Sequence, residues 1–290
     1  MSHRGVAETA AETARRRPRL HLRGGLFAAA TALAVVLTSS VAAQPAAATA
    51  SVVVLQMNLC NSGAAKACYS FGTAVEQAVV TIHRYRPQVV TVQEICRDDV
   101  YAAHGWGPLA QAMADLYGSR RIRVAFTPAR SRATGEPYRG CVNGQEYGVA
   151  VIYHGTGGEV HRGWYTNQSS RGGEIRAWSC ATVIASRLTA CTTHLTINRE
   201  MAMRQCRELM SILASAPWAA PQVIVAGDFN LAAEPGKPTD VQTCVPPGYH
   251  RHGDDAVQQV FFTAGVTWIE GRYEPLAGTD HPLLYEHFRL

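Results

Sequence analysis

Short apolar segments that each end in a polar side chain constrain the fold of this chain more than any other feature of its sequence. Val52–Met57 (VVVLQM) is followed by Asn58, and Gln88–Gln93 (QVVTVQ) is followed by Glu94. Runs of this length that are rich in Val and lack helical spacing are typical of buried β-strands. Because a buried polar group needs a partner or solvent, these strand ends are expected at the edge of a sheet.

The same pattern occurs three more times in the second half of the chain. His194 follows the segment ACTT, Asp228 and Asn230 follow QVIVAG, and Asp280 and His281 immediately precede the last apolar segment. Asp228 and Asn230 are two positions apart, so in an extended segment their side chains would point to the same side. If the sheets bring these strand ends to one edge, seven polar side chains meet in a single cleft.

The other segments predict a mixed β-sheet architecture with helices on the outside. Strand and helix patterns alternate early and late in the chain, and a hairpin lies between them. Two long polar, Gly- and Pro-rich segments, 127–145 and 232–255, are predicted as loops within one domain that spans 51–290. The further predicted strands are Ile122–Phe126, Tyr147–Tyr153, Arg176–Ala185, Leu188–His194, Gln222–Ala226, Val257–Thr263 and Pro282–Phe288, and the predicted helices are Gly72–Arg86, Leu109–Leu116 and Arg199–Leu213.

The first fifty residues are typical of a secretory signal peptide. A basic segment, 15–23, precedes an uncharged apolar run from Leu26 to Leu37 and a small-residue stretch, and cleavage is expected after Ala43 or Ala50. The apolar run is short for a membrane span, although an uncleaved anchor is the alternative, and the sequence leaves both the general secretory and the twin-arginine routes open. We therefore expect a secreted protein without a stable membrane anchor. Nothing in the sequence indicates oligomerisation, so a monomer is expected.

The net charge of +5 lies almost wholly in this leader, which carries six Arg and two Glu. Residues 51–290 therefore carry a net charge of +1. Non-specific affinity for nucleic acids comes mainly from neutralising phosphates, so charge alone does not indicate a polyanionic partner.

All eight cysteines lie after the leader, and an even number in an exported chain favours disulfides. If the two segments around Ser186-Arg187 form a hairpin, Cys180 lies opposite Cys191 and within disulfide reach. The sequence contains no CxxC motif, so it does not favour a zinc site as the alternative to disulfides. Cys60–Cys68 is a plausible second disulfide because the two residues are close in sequence. Cys96–Cys141 and Cys206–Cys244 are the pairs that then remain, and the sequence gives no separate argument for them.

The polar residues at the strand ends suit the hydrolysis of a phosphate ester. Asn, Asp and Glu oxygens are ligands that Mg²⁺, Mn²⁺ or Ca²⁺ prefers, and such an ion neutralises charge that builds on phosphorus. Imidazoles titrate near neutrality and can transfer protons or hold the phosphate. The set therefore predicts a divalent-metal-dependent phosphoesterase.

Five ordered motifs resemble the endonuclease/exonuclease/phosphatase superfamily over roughly 52–288. They are Met57-Asn58-Leu59, Gln93-Glu94, Thr193-His194-Leu195, Gly227-Asp228-Phe229-Asn230-Leu231 and Thr279-Asp280-His281-Pro282. The resemblance implies a four-layer α/β sandwich of two packed mixed β-sheets flanked by helices. It implies in-line attack of water on phosphorus, with Asn58 and Glu94 as the metal-binding pair and Asp280 as a second carboxylate near the metal.

The resemblance also implies roles for four catalytic residues. Asp228 matches the carboxylate that activates or orients the attacking water, and Asn230 matches a ligand of the transition-state phosphate. His281 matches the phosphate-contacting or general-base histidine. His194 matches the histidine that stabilises the phosphate or protonates the leaving oxygen.

One position departs from the family pattern. The run Val257–Phe261 places Gln258 where the family usually has an Asp that hydrogen-bonds the histidine of the Asp-His pair. A neutral amide cannot raise the pKa of His281 by charge, so we expect a less basic His281 or a divergent or weakened activity. On this hypothesis, activity should rise in Gln258→Asp.

Three function classes are compatible with these residues. The first is a nuclease-like phosphodiesterase, with DNA as a candidate substrate. The second is a phosphatase or a sphingomyelinase or phospholipase C-type hydrolase of the same superfamily, and the third is a catalytically weak binding module. Arg130, Arg132 and Arg139 in the 127–145 segment favour phosphate contact over lipid insertion, because a lipid enzyme usually carries an apolar, aromatic-tipped loop.

Overall fold

The computed structural model describes residues 50–183 and 187–290. The predicted signal peptide, except for its last residue, lies outside the described residues, as does Ser186 of the predicted hairpin turn. The α-helices are α1 (Thr73–Tyr85), α2 (Pro108–Tyr117) and α3 (Arg199–Ser215). The strands are β1 (Ser51–Asn58), β2 (Val89–Cys96), β3 (Tyr101–Ala102), β4 (Gly105–Trp106), β5 (Ile122–Pro128), β6 (Arg130–Ser131), β7 (Tyr147–His154), β8 (Glu159–Trp164), β9 (Glu174–Ile175), β10 (Ala177–Val183), β11 (Leu188–His194), β12 (Gln222–Asp228), β13 (Tyr249–Gly253), β14 (Gln258–Thr263), β15 (Thr267–Pro275) and β16 (Pro282–Arg289).

Two large mixed sheets form the body of the fold. The first has the strand order β15-β16-β1-β2-β7-β5, and the second has the order β13-β14-β12-β11-β10-β8. Within them β1 and β2 are parallel, β11 and β12 are parallel, and the other neighbouring pairs are antiparallel. The carboxyl ends of these four parallel strands carry four of the predicted site residues.

The alternation of side chains along the central strands builds four layers. On β1, Leu55 and Met57 pack with α1 and α2, whereas Val54 points to the other face and packs between the two sheets. On β12, Val225 packs under α3, whereas Ile224 joins the layer between the sheets. Because successive strand residues face opposite sides, each central strand contributes to two cores. The predicted four-layer α/β sandwich is confirmed.

Four disulfides join the eight cysteines. Cys180 and Cys191 are direct cross-strand partners on β10 and β11, with 4.0 Å between their Cα atoms, as the hairpin register predicts. The remaining pairs are Cys60–Cys68, Cys96–Cys141 and Cys206–Cys244. Several disulfides in one domain indicate an oxidising environment. None of the described helices has the length and apolar composition of a membrane span.

The strands that sequence patterns missed lie mainly at the sheet edges. Glu159–Trp164 and Thr267–Pro275 are edge strands with mostly exposed or half-exposed residues, so no apolar run marks them. Tyr249–Gly253 forms the other edge of the second sheet, so the prediction of a loop over all of 232–255 was wrong there. Edge strands keep one side of their backbone unpaired, and polar residues are common on them.

Candidate active site

A cleft of about 470 Å³ opens at the end of the sandwich where the central strands of both sheets meet. Of the seven residues predicted for the site, six line this cleft and Asn58 lies fully buried beneath it. The six that line it are Glu94, His194, Asp228, Asn230, Asp280 and His281.

Strand register explains why residues so distant in sequence converge. His194 and Asp228 are paired neighbours at the ends of parallel strands β11 and β12. Asn58 ends β1, and the turn before β16 is held against it because the Thr279 hydroxyl donates to the Asn58 backbone carbonyl (2.9 Å). Gly227 is needed before Asp228, because a Cβ at this position would lie 2.4 Å from the backbone oxygen of Thr193.

Asp228 is the centre of the hydrogen-bond network. Its carboxylate is almost fully buried, with a relative exposure of 1%. Oδ2 accepts from Asn58 Nδ2 (2.8 Å) and from Gln258 Nε2 (3.0 Å), and Oδ1 accepts from the Asn230 backbone N–H (2.9 Å). Three donors from both sheets therefore fix the orientation of this carboxylate.

Asn230 lies in a tight turn rather than in an extended segment. Its φ angle is 50°, in the left-handed region that Asn tolerates better than most residues. The prediction that Asp228 and Asn230 align through an extended backbone was therefore wrong, although both residues line the cleft. Asn230 Nδ2 donates to the Leu195 backbone carbonyl (2.9 Å), and this bond ties the turn to the end of β11.

Glu94 reaches the cleft through an irregularity in β2. The register with β7 shifts between Val92 and Ile95, and Glu94 has a φ angle of 55°. A left-handed Glu costs on the order of 1–3 kcal/mol, and such residues cluster at functional sites. Burial raises the pKa of Glu94, and the Asp228 charge adds to this, against the hydrogen bond from Asn58.

His194 is buried and held in its neutral form. Its Nε2 lies 3.8 Å from Glu94 Oε1, and its Nδ1 lies 3.3 Å from the Tyr147 hydroxyl. Burial lowers the pKa of His194 well below 6.5, and nearby Arg176 and His281 lower it further. Burial also raises the pKa of Tyr147 well above 10, so this hydroxyl keeps its proton.

His281 lies between two carboxylates. Its Nε2 is 3.6 Å from Asp228 Oδ2 and 3.5 Å from Asp280 Oδ1, and its Nδ1 is 3.2 Å from Gln258 Nε2. Asp280 is at the rim, with 62% of its side chain exposed. Gln258 thus occupies the position beside His281 at which the family pattern expects an Asp.

Arg176 is a cleft residue that the sequence patterns did not identify. It forms an ion pair with Glu174 (2.8 Å), yet its Nη1 is buried without a hydrogen-bond partner among the described residues. Burial acts to lower the pKa of Arg176, but Tyr147, Glu174 and Glu94 outweigh this and raise it. A buried guanidinium N–H without an acceptor is costly, so the cleft is suited to an anion at this point.

The arginines singled out in the 127–145 segment have other partners. Arg130 stacks over the Trp164 ring, with 3.4 Å to its centroid. Arg132 donates to backbone carbonyls that include that of Gly172 (3.2 Å), and Arg139 donates to the Gly144 carbonyl (3.1 Å). The segment contributes Tyr138 and Gly140 to the cleft instead. No sequence signal separated Arg176 from these exposed arginines, because its burial depends on tertiary packing.

The donor groups in the cleft suit a hard divalent cation. Glu94 Oε1 accepts from Asn58 Nδ2 (3.0 Å), whereas Glu94 Oε2 has no hydrogen-bond donor among the described residues. Asp280 offers a second free carboxylate in the same cleft. Asn58 turns its amide nitrogen toward Glu94 and Asp228, because its Oδ1 accepts the Cys60 backbone N–H (3.1 Å). Glu94 and Asp280 therefore offer oxygen ligands of the type that the predicted metal role requires, and Asn58 would ligate only after its amide turns.

Comparisons with known proteins agree with this architecture. Residues 76–251 match the sequence profile of the Endonuclease/Exonuclease/phosphatase family. No curated protein matches the chain significantly.

Several solved structures share the fold. An endonuclease/exonuclease/phosphatase from Beutenbergia cavernae DSM 12333 is 17% identical, with a TM-score of 0.59 over 83% of this chain and 72% of that one. Humanized D. rerio TDP2 is 15% identical, with a TM-score of 0.55 over 83% and 99% of the two chains. The human Nocturnin catalytic domain with bound sulfate is 14% identical, with a TM-score of 0.56 over 82% and 93%. At these identities the likeness concerns the fold alone.

Proposed function

The chain belongs to the endonuclease/exonuclease/phosphatase family, whose members are phosphoesterases, and we propose that it is a secreted, divalent-metal-dependent phosphodiesterase with nuclease-like action. One observation carries the proposal. The buried carboxylate of Asp228, two imidazoles and the side chain of Arg176 line one cleft built from both sheets. A phosphodiester supplies the anion that this arrangement lacks.

Asp228 is proposed to orient the attacking water and accept its proton. Its Oδ1 takes one hydrogen bond, from the Asn230 backbone, and so keeps a lone pair for the water. The three donors that hold Asp228 prevent it from turning away during the reaction. Preorganisation of this kind accounts for much of the rate enhancement in many enzymes.

Arg176, His194 and Asn230 are proposed to bind the phosphate oxygens. Arg176 lines the cleft and its Nη1 has no acceptor among the described residues, and Asn230 uses one of its two amide hydrogens on Leu195. Neutral His194 holds its Nδ1 against Tyr147, which leaves Nε2 to face the cleft. Donors aimed at the phosphate stabilise the charge that develops in an in-line displacement.

Glu94 and Asp280, with Asn58 after its amide turns, are proposed to hold the cation. Members of the family generally use divalent metals, Mg²⁺ above all, and Mn²⁺ or Ca²⁺ suits the same oxygen ligands. When bound, the cation neutralises negative charge on the phosphate oxygens. It would also offset the charge repulsion between Glu94 and Asp228 that helps to raise the pKa of Glu94.

Secretion is proposed from the four disulfides together with the basic and apolar leader. The mature enzyme would then be the 51–290 domain, acting as a monomer. N-terminal sequencing of protein collected outside the producing cells should give a chain that starts at Gln44 or Ser51. A cell-associated chain that keeps its first fifty residues would contradict secretion.

The proposed activity is tested with a substrate panel. Plasmid DNA, RNA, sphingomyelin, inositol phosphates and bis-p-nitrophenyl phosphate are incubated with Mg²⁺, Mn²⁺ or Ca²⁺, with and without chelator. We expect metal-dependent cleavage of a phosphodiester, strongest on DNA, that Asp228→Asn abolishes. The absence of turnover on every substrate would favour the binding-module alternative, and full activity with chelator would contradict metal dependence.

A lipid phosphodiesterase is the second candidate, and one observation favours it. Ile197 lines the cleft with 77% of its surface exposed, and Val142, from the segment that also supplies Tyr138, is 66% exposed. Exposed apolar side chains near a phosphate site suit contact with a lipid surface. Faster turnover of sphingomyelin in vesicles than of DNA, lost in Ile197→Asn, would favour this function over the nuclease.

A further inference from the structure

Gln258 is a fully buried amide, and two of the three polar contacts of its side chain are with the proposed catalytic residues. It is on β14 and points into the space between the two sheets. Its Nε2 lies 3.0 Å from Asp228 Oδ2 and 3.2 Å from His281 Nδ1. Its Oε1 accepts from Gln56 Nε2 (2.8 Å). Each contact constrains how the others can be arranged.

The neighbours of Gln258 define which end of its amide faces the cleft. A carboxylate oxygen only accepts hydrogen bonds, so the group that faces Asp228 must be the NH₂ end. The opposite end must accept, because Gln56 presents its own NH₂ there. The amide of Gln56 is oriented in turn, because its Oε1 accepts from the Thr91 hydroxyl (2.6 Å) and from Gln93 Nε2 (2.9 Å). A reversed Gln258 would place oxygen against oxygen on one side and donor against donor on the other.

The orientation of Gln258 has a consequence for His281. An amide nitrogen has no lone pair to accept a hydrogen bond, so the ring nitrogen at 3.2 Å must be the acceptor. In a neutral imidazole, one nitrogen accepts and the other carries the proton. Nδ1 therefore presents its lone pair to Gln258, and the proton lies on Nε2, which faces Asp228 and Asp280.

We infer that Gln258 is a positioning residue that holds His281 in the tautomer protonated at Nε2, so that His281 donates a hydrogen bond in the cleft and does not accept the proton of the attacking water. The catalytic half of this inference rests on the proposed function. A carboxylate at position 258 would instead accept from Nδ1–H and leave the lone pair on Nε2. The amide thus reverses the direction of the hydrogen bond on His281 and leaves proton acceptance to Asp228.

The same geometry indicates which substrate atom receives this hydrogen bond. His281 Nε2 is 3.6 Å from Asp228 Oδ2, so it lies on the side of the cleft from which the water attacks. In an in-line displacement the leaving oxygen departs on the opposite side. The acceptor of the His281 hydrogen bond is therefore a non-bridging phosphate oxygen.

The tautomer can be measured without substrate or metal. Long-range ¹H–¹⁵N correlation spectra of the full chain with labelled histidine distinguish a protonated ring nitrogen from one that carries a lone pair. The spectra are recorded in mildly alkaline buffer, where imidazoles are neutral, and His281→Asn identifies the His281 signals. We expect a lone pair at Nδ1 and a proton at Nε2 in the wild-type protein. A proton at Nδ1 would overturn the inference.

A pair of variants separates this effect from a general structural one. Gln258→Met removes the donor at similar length, and Thr192→Val removes a hydroxyl from the same buried network without contacting His281. We expect mixed tautomers in Gln258→Met and the wild-type spectrum in Thr192→Val. An unchanged His281 spectrum in Gln258→Met would contradict the positioning role.

Kinetics test the catalytic half separately. Gln258→Met should lower kcat about two- to tenfold, because the competent tautomer is still partly populated. The loss should be equal for diesters with good and poor leaving groups, since the hydrogen bond goes to a non-bridging oxygen. A loss that grows with a poorer leaving group would place the bond on the leaving oxygen instead. If the wild-type protein turns over no phosphodiester, the proposed function fails while the tautomer result still stands.

Discussion

The two ends of the space between the sheets differ in chemistry although the same strands build both. Away from the cleft, the inward-facing residues are apolar and pack into one continuous core. Toward the cleft, the next inward positions on those strands are polar and join both sheets through hydrogen bonds. From the apolar end toward the cleft, the inward residues are Val52, Val54, Gln56 and Asn58 on β1, Leu188, Ala190, Thr192 and His194 on β11, and Ile224, Ala226 and Asp228 on β12.

The difference shows how a sandwich of this kind carries a buried polar site. Gln56 and Gln93 form a reciprocal amide pair, in which each NH₂ donates to the carbonyl of the other (2.5 and 2.9 Å). Gln93 also donates to Thr192 (2.8 Å), and Gln56 continues the chain to Gln258. Buried polar groups are tolerated when every member is satisfied, and such a network limits the rearrangement of the groups it holds. The apolar end thus contributes most to the stability of the fold, and the polar end fixes the orientation of the side chains in the cleft.

Substitution of two inward residues of one strand separates the contributions of the apolar and polar ends. Ile224 and Asp228 are four positions apart on β12 and both are buried. Ile224→Ala should lower the free energy of unfolding by about 2–5 kcal/mol through loss of burial and a cavity, with kcat unchanged below the unfolding transition. Asp228→Asn should lower kcat by about 10³-fold or more, with a smaller change in unfolding free energy. Both variants are measured by urea unfolding and by initial rates. A large loss of kcat in Ile224→Ala, or a loss of stability in Asp228→Asn that exceeds that in Ile224→Ala, would contradict the separate roles of the two ends.

Removal of a central amide tests whether the polar end is a network. Gln56→Met removes one hydrogen-bond partner from each of Gln93, Gln258 and Thr91, and it takes away the donor to the buried Oε1 atoms of Gln93 and Gln258, so the free energy of unfolding should fall by about 1–3 kcal/mol although an apolar side chain replaces a polar one. Thr91→Val, the matched control, removes one donor from Gln56 and should cost less. Equal or higher stability of Gln56→Met in urea unfolding would show that the amides do not act together.

The pH dependence of stability gives the smallest effect. Because the folded protein holds His194 neutral with a lowered pKa, the unfolded chain binds the proton more readily, and stability falls as the pH drops below about 6.5. The slope attributable to His194 is at most about 1.4 kcal/mol per pH unit. The raised pKa of Glu94 acts in the opposite direction at lower pH, since the folded state then binds the extra proton.

A difference measurement isolates the contribution of His194. His194→Gln should lose this part of the acid sensitivity, whereas Ile224→Ala, at the apolar end, should keep the wild-type slope. Unfolding free energies measured from pH 7.5 down to pH 5.5 provide the test. Equal slopes in the wild-type protein and His194→Gln would mean that His194 does not have a lowered pKa.

The fold was predictable where burial leaves a trace in the sequence. Apolar runs such as 52–57 and 222–226 mark central strands because both faces of these strands are covered. Edge strands such as 267–275 face solvent, and their composition does not differ from that of a loop. The cross-strand position of Cys180 and Cys191 followed from the hairpin register, whereas the pairs between distant segments depend on tertiary packing.

The site was predictable in its members but not in its local geometry. Each of five strand ends supplied one or two polar residues, and a resemblance across five motifs indicated that they belong together. The left-handed conformations of Glu94 and Asn230 depend on a bulge and a turn that no pattern in the sequence marks. Arg176 and Tyr147 were missed because their importance comes from burial beside residues far away in the chain. The hydrogen-bond direction at Gln258 likewise follows from Asp228 on β12 and Gln56 on β1, which are far from it in the sequence.

The location of a bound cation tests the central claim, that side chains from both sheets form one metal-dependent phosphodiester site. Anomalous diffraction from crystals soaked in Mn²⁺ with a non-hydrolysable phosphodiester analogue locates the ion directly. We predict a peak in the cleft within coordination distance of a carboxylate oxygen of Glu94, with the phosphate between that ion and Asp228. Full occupancy at another place, with the cleft containing neither ion nor phosphate, would show that these side chains do not form a metal-dependent phosphodiester site.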